Sequence, residues 1–243
     1  MKWMRTGLVL FLGFLLVGQA AAEEKKWSDE AELSYVSTGG NTKVTTLAAK
    51  NLFKIPFSER FSGSWKLQAL YGKSDGVKNA EAYSTELRGD YAHTARLYSF
   101  ATAGWLQDEF SGIDQRFVYG LGSGYKFLDG PKHFLIGEAG LTYTMDDYTD
   151  GTDSQYPGGR LFGQYDYKFS DANKFTQSVE FLPDFDDTQN WLLNSETALT
   201  AALNKTFSMK TSYLVKYDHE PVPGLTKTDT ILSVALVANF QGM

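Results

Sequence analysis

The chain has no cysteine and only three histidines and six prolines among 243 residues. The missing thiols exclude a disulfide framework, a thiol nucleophile and any cysteine-ligated metal. Long apolar runs are also absent. Residues 6–17 form the one continuously apolar or small segment, and mean hydropathy is slightly negative. Together these exclude a bundle of membrane helices, each of which needs about 20 apolar residues. Basic charge is in deficit, 23 Lys and Arg against 29 Asp and Glu for a net −6, which argues against nucleic acid as a partner. No Gly-rich phosphate loop, HExxH or CxxC occurs, so no cofactor is expected.

What the chain does have is aromatics, 15% of the residues, and 23 glycines. The stretch FSGSWKLQALYGK, 61–73, shows how they are used. Phe61, Gly63, Trp65, Leu67, Ala69 and Tyr71 share one face at a spacing of two, with Ser62, Ser64, Lys66, Gln68 and Gly72 on the other. That is a strand with one apolar and one polar face. The N-terminus has a different character. Lys2 and Arg5 precede the apolar run and Ala20, Ala21 and Ala22 follow it, the layout of a secretory signal peptide cleaved after residue 22. The mature domain is then 23–243.

The same alternation predicts twelve strands, over 27–38, 42–53, 61–73, 82–91, 98–106, 117–127, 133–143, 160–169, 174–182, 191–203, 207–218 and 227–240. The phase of 98–106 is ambiguous. The strand at 117–127 sets Phe117, Tyr119, Leu121, Tyr125 and Phe127 against Gly120, Gly122 and Gly124, and 160–169 alternates strictly. Turns are expected at Gly39-Gly40-Asn41 and Asp129-Gly130-Pro131, and Pro56 is placed in a connection. Loops are expected over 74–80, 107–115, 145–159 (the longest) and 183–190. An even count, short basic turns on one side and longer acidic loops on the other suit a transmembrane antiparallel up-and-down β-barrel of about 12 strands, with both termini periplasmic. The competing reading is a secreted sandwich or soluble barrel, whose core so many large aromatics would overfill.

The segments Ser37-Thr38-Gly39-Gly40-Asn41-Thr42, Phe110-Ser111-Gly112-Ile113-Asp114-Gln115-Arg116, Gly122-Ser123-Gly124-Tyr125 and Lys227-Thr228-Asp229-Thr230 carry a family likeness. On them the chain resembles the salt-induced outer-membrane protein family, proteobacterial barrels of unknown function. The resemblance implies an outer-membrane barrel and brings no catalytic or ligand residues with it. Leu236, Ala238 and Phe240 look like the aromatic C-terminal assembly signal of such barrels, although Gln241-Gly242-Met243 follow.

In a barrel the polar faces point inward. Glu86, Arg88, Asp90, Arg116, Glu138 and Arg160 are expected to line the lumen. So are Asp166, Lys168, Glu180, Glu196, Lys210 and Lys216, with Glu30, Glu32, Lys66 and Lys126 beside them. Asp114 and Arg116, two apart, are expected to pair. No metal site is expected; Asp146, Asp147, Asp150 and Asp153 are the weak candidates, in a spacing that lacks an EF-hand's terminal Glu. His219, between Asp218 and Glu220, is the one histidine at the outer end, and no nucleophile motif accompanies it. The function expected is non-enzymatic: a narrow channel for small solutes or cations, or a closed envelope-stabilising barrel. The alternative is an outer-leaflet lipid or peptide hydrolase. The expected setting is the bacterial outer membrane, with its lipid and the barrel assembly machinery as partners.

Overall fold

The computed structural model describes residues 27–37, 44–222 and 224–242. The expected leader 1–22 and the expected turn at Gly39-Gly40-Asn41 lie outside them. The chain forms a closed barrel of twelve antiparallel strands, each paired with its sequence neighbours. They are β1 (Ser28–Ser37), β2 (Val44–Pro56), β3 (Phe61–Ser74), β4 (Val77–Ala92), β5 (Leu97–Asp108) and β6 (Ile113–Asp129). β7 (His133–Tyr148), β8 (Asp153–Lys168), β9 (Asn173–Pro183), β10 (Trp191–Ala202), β11 (Phe207–Asp218) and β12 (Thr228–Gln241) complete it. β1 closes on β12, from Ser28↔Gln241 to Ser34↔Ala235. Closure leaves no open edge, so the wall's backbone groups are satisfied within the wall, as lipid requires.

Alternation decides which side of the wall each residue faces. On β6, Tyr119, Leu121, Tyr125 and Phe127 are exposed on the outer surface, Leu121 at 64%. Aromatics stand at both ends of this row and leucine between them, a pattern repeated by Tyr143 and Leu141 on β7. Tyr119 to Phe127 is eight steps, roughly 20 Å along the barrel axis at the usual strand tilt, close to an outer-membrane apolar band. The inner surface buries polar groups instead, among them Glu32, Ser34, Glu138, Thr144, Ser208 and Ser212. A soluble protein would reverse this arrangement.

Both described termini lie at one end of the barrel, here the turn end, with connections at 57–60, 93–96, 130–132, 169–172 and 203–206. The opposite end, the loop end, corrects the sequence reading. The segment 74–80, expected as a loop, is almost entirely strand: only Asp75-Gly76 turns, both with positive φ, as a two-residue hairpin requires. The segment 145–159, expected as the longest loop, is β7 and β8 carried outward, with 149–152 as the only connection. The connection expected at 107–115 shrinks to a 3-10 turn, Glu109–Ser111, and Gly112. The asymmetry is therefore mainly an overhang of the wall, and among the described residues only 184–190 and 219–222 with 224–227 lie in long loops. The overhang was hidden because strands beyond the apolar band need no apolar face, so alternation fades while pairing continues. Pro56 ends β2 instead of sitting in the connection. Gln241 belongs to the closing seam, and the Gly242 amide donates to the Trp27 carbonyl at 3.0 Å.

The ambiguous strand β5 points Tyr98, Phe100, Thr102 and Gly104 inward. Phe100 is 5% exposed. The register runs Phe100↔Gly122 and Tyr98↔Gly124 onto β6. A Cβ on Gly122 would stand 2.7 Å from Phe100 Cζ, and one on Gly124 would enter the Tyr98 ring. The glycine face of β6 is thus the floor on which two lumenal aromatics lie.

Candidate functional site: a braced lumen

The lumen holds two cavities. The larger, about 1180 Å³, reaches from the 57–60 and 93–96 turns into the barrel, and the smaller, about 370 Å³, lies towards the loop end. Seven residues border both: Lys66, Gln68, Glu86, Arg160, Glu180, Asn194 and Lys216. They form a charged waist.

Below the waist stands a closed network. Arg88 Nη1 and Nη2 donate to Glu138 at 3.1 and 2.7 Å, and Nε and Nη2 to Asp90. Arg160 donates from Nη1 to Glu138 and from Nε to Glu180, both at 2.6 Å. The Tyr98 hydroxyl donates to Glu138 at 2.6 Å, and Asn194 Nδ2 to Glu180 at 3.3 Å. Both guanidinium groups face the Phe100 ring, 4.4 Å from it for Arg88 and 5.7 Å for Arg160, adding cation–π attraction. Arg88 on β4 reaches Glu138 on β7 across two intervening strands because Gly120, Gly122 and Gly124 leave β6 without side chains there.

A second network crosses from the far wall. Lys210 Nζ lies 3.0 Å from both Glu32 and Glu196, and Lys50 lies 3.9 and 3.7 Å from the same two carboxylates. β2, carrying Lys50, and β10, carrying Glu196, are separated by three intervening strands through the seam, so this pair ties well-separated parts of the wall. Nearer the loop end, Arg116 donates two bonds of 2.6 Å to Asp146, its cross-strand partner, and Tyr148 adds a third at 3.2 Å. Buried ion pairs of this kind balance desolvation against attraction only when every member is satisfied.

These placements sort the residues expected from sequence. Glu86, Arg88, Asp90, Glu138, Arg160, Glu180, Glu196 and Lys216 border the larger cavity, and Arg116 the smaller. Lys210 joins the second network, and Asp166 accepts from Gln164 near the turn end. Lys168 is exposed at that rim, opposite Lys174. The expected Asp114–Arg116 pair is corrected: a bulge between Ile113 and Gln115 takes Asp114 out of register, and Arg116 turns to Asp146. The four acidic metal candidates do not converge. Asp146, 1% exposed, is held by Arg116. Asp147 and Asp153 are cross-strand partners. Asp150 accepts from the Thr152 hydroxyl at 2.6 Å, which lowers its pKa. Among the described residues no three His, Asp or Glu side chains are placed to hold a metal ion. Sequence reasoning passed over Lys50, Tyr98, Phe100 and Phe162; the run Gly120-x-Gly122-x-Gly124 was the available signal.

His219 Nδ1 lies 2.7 Å from the Gln189 carbonyl, so that nitrogen carries the proton, and the ring stacks on Trp191 at 4.9 Å. Among the described residues no hydroxyl is bonded to this ring. Any phospholipid or peptide hydrolysis measured for the wild type is expected to persist in His219→Ala, and its abolition would restore the hydrolase reading.

A solved outer membrane channel from Pseudomonas putida F1 superposes with a TM-score of 0.52 at 11% identity, covering 91% of this chain and 97% of that one. The translocator domain of the autotransporter NalP from Neisseria meningitidis aligns at 11% identity with a TM-score of 0.48, covering 89% and 88%. The first likeness shows the fold, that of an outer-membrane barrel. In sequence, the uncharacterized protein YdiY of Escherichia coli (strain K12) is 31% identical over 229 residues, 91% of this chain and 87% of that protein. The profile of the protein family of unknown function DUF481 matches residues 31–240, and the chain belongs to that family.

Proposed function

We propose that this protein is a bacterial outer-membrane barrel whose lumen is a narrow, internally braced conduit for ions and small solutes. The observation that carries this reading is the pair of cavities, lined by charged and apolar side chains, that meet at one charged waist. A stopper would pack that junction with apolar side chains; here Lys66, Glu86 and Lys216 border both cavities instead. In this reading the leader 1–22 directs export, assembly machinery inserts the mature chain, and the turn end faces the periplasm. The loop end carries Asp147, Asp150, Asp153, Asp184, Asp186 and Asp187, which concentrate cations at that mouth. The salt-induced name of the resembling family fits a role in the osmotic response of the envelope.

The test is single-channel conductance of refolded protein in a planar bilayer under a salt gradient. Small discrete steps are expected, because the braces leave only the waist open. Electrical silence from protein that still shows heat-modifiable migration would mean that the braces seal the barrel, and would reduce its role to stabilising the envelope.

A further inference from the structure

We propose that the larger cavity is a binding vestibule for a small organic anion entering from the turn end. The proposal deepens the conduit reading by naming the solute class its wider half retains. The chain as a whole is acidic, yet eight lysine and arginine side chains and six carboxylates line this cavity. The sign of the wall is therefore opposite to that of the protein.

The pairing pattern sharpens this contrast. The carboxylates deepest in the wall are already engaged: Glu138 by Arg88 and Arg160, Asp90 by Arg88, Glu180 by Arg160, and Glu196 by Lys50 and Lys210. Lys54, Arg60 and Lys66 make no ion pair among the described residues. Of the two remaining carboxylates, Glu59 sits on the 57–60 turn, at the rim, and Glu86 lies opposite Lys66 on the neighbouring strand. An entering anion thus meets Arg60 at the rim, Lys54 within and Lys66 at the waist. An entering cation meets Glu59 at the rim and Glu86 beside Lys66, and deeper in the wall only carboxylates that already have partners.

The rest of the wall favours an organic solute over a bare ion. Leu52, Phe134, Ile136, Phe162 and Leu214 share the cavity with the lysines. Apolar surface near unpaired cations accepts a carbon skeleton, and it strengthens the attraction of those cations by excluding water. The volume exceeds what a single small anion fills, so the site takes a multiply charged or extended one.

Calorimetric titration of the full-length protein in lipid nanodiscs with citrate, and with choline as the cation control, tests the proposal. Saturable citrate binding without choline binding is expected. The double variant Lys54→Gln/Lys66→Gln should weaken citrate at least tenfold, because it removes two of the three lining cations that make no ion pair among the described residues. Lys227→Gln, which changes the smaller cavity, should leave citrate affinity unchanged. Heat-modifiable migration checks that each variant folds, and Lys66→Arg, which keeps the charge, should restore most of the affinity to the double variant when it replaces Lys66→Gln. Absence of citrate binding, equal binding of choline, or a double variant that binds like wild type would each overturn the vestibule. Conductance separates the two readings: steps without citrate binding remove the vestibule alone, and citrate binding without steps removes the conduit alone.

Discussion

Glu138→Ala is expected to destabilise the folded barrel by about 3 kcal/mol or more, within the range seen when one partner of a buried ion pair is removed. The Glu138 side chain is 2% exposed and receives four bonds, two from Arg88, one from Arg160 and one from Tyr98. Its removal leaves two guanidinium groups close together below the waist, with Asp90 and Glu180 as their remaining counter-charges. Like-charge repulsion then replaces a brace that held β4, β7 and β8 together. Water from the larger cavity can hydrate the freed groups, which places the loss at the lower end of the range. Glu138→Gln keeps the shape and part of the hydrogen bonding and should fall between wild type and alanine. Urea unfolding in lipid vesicles, followed by tryptophan emission, gives the stabilities. In a planar bilayer Glu138→Ala should also raise the unit conductance, since Arg160, freed from one anchor, no longer holds its position at the waist. A loss under about 0.5 kcal/mol with unchanged conductance would show that Arg88 and Arg160 are held by the rest of the wall, and that the brace does not set the aperture.

Much of this architecture was legible in the sequence because membrane barrels write their two faces as a period of two. The segment at 207–218 reads as one strand, and the structure places β11 on the same residues. The twelve strands and their order follow from the same rule. Two things were not legible, for distinct physical reasons. Strand ends at the loop end were lost because alternation is imposed by lipid and ceases where lipid ends, whereas backbone pairing continues from Gly72 through the Asp75-Gly76 turn. The partners of the charged residues were lost because pairing depends on the height of each residue once the sheet is sheared into a barrel. Arg116 shows the point: its sequence neighbour Asp114 is displaced by a bulge, and its partner Asp146 is 30 residues away. The phase of β5 was obscured by the site itself, since Tyr98 and Phe100 are aromatics that point inward.

That inward placement depends on Gly122, and Gly122→Val is expected to cost about 3 kcal/mol or more, or to prevent recovery of a heat-modifiable barrel. A Cβ at this position would stand 2.5 Å from the Ala139 carbonyl oxygen and 2.7 Å from both Gly140 Cα and Phe100 Cζ. Two of these three neighbours are backbone of β7, which cannot yield as a flexible side chain can. A Cβ on Gly140 would meet the Leu121 carbonyl oxygen at 2.7 Å in return, so the two strands approach closely from both sides. Overpacking a fitted interior usually costs 1–3 kcal/mol; here the strain falls on the wall as well, and the Phe100 ring that backs Arg88 and Arg160 is displaced. Gly163→Ala is the matched control. It lies on the outer face of β8, where a new Cβ finds only the Ile136 carbonyl oxygen at 3.9 Å, and it should be tolerated. The double variant Gly122→Ala/Phe100→Ala separates the two sources of strain. If the ring were the main obstacle, removing it would restore wild-type stability. Because Ala139 and Gly140 remain in the way, partial recovery is expected, and full recovery would show that the close approach of β6 and β7 relaxes at little cost.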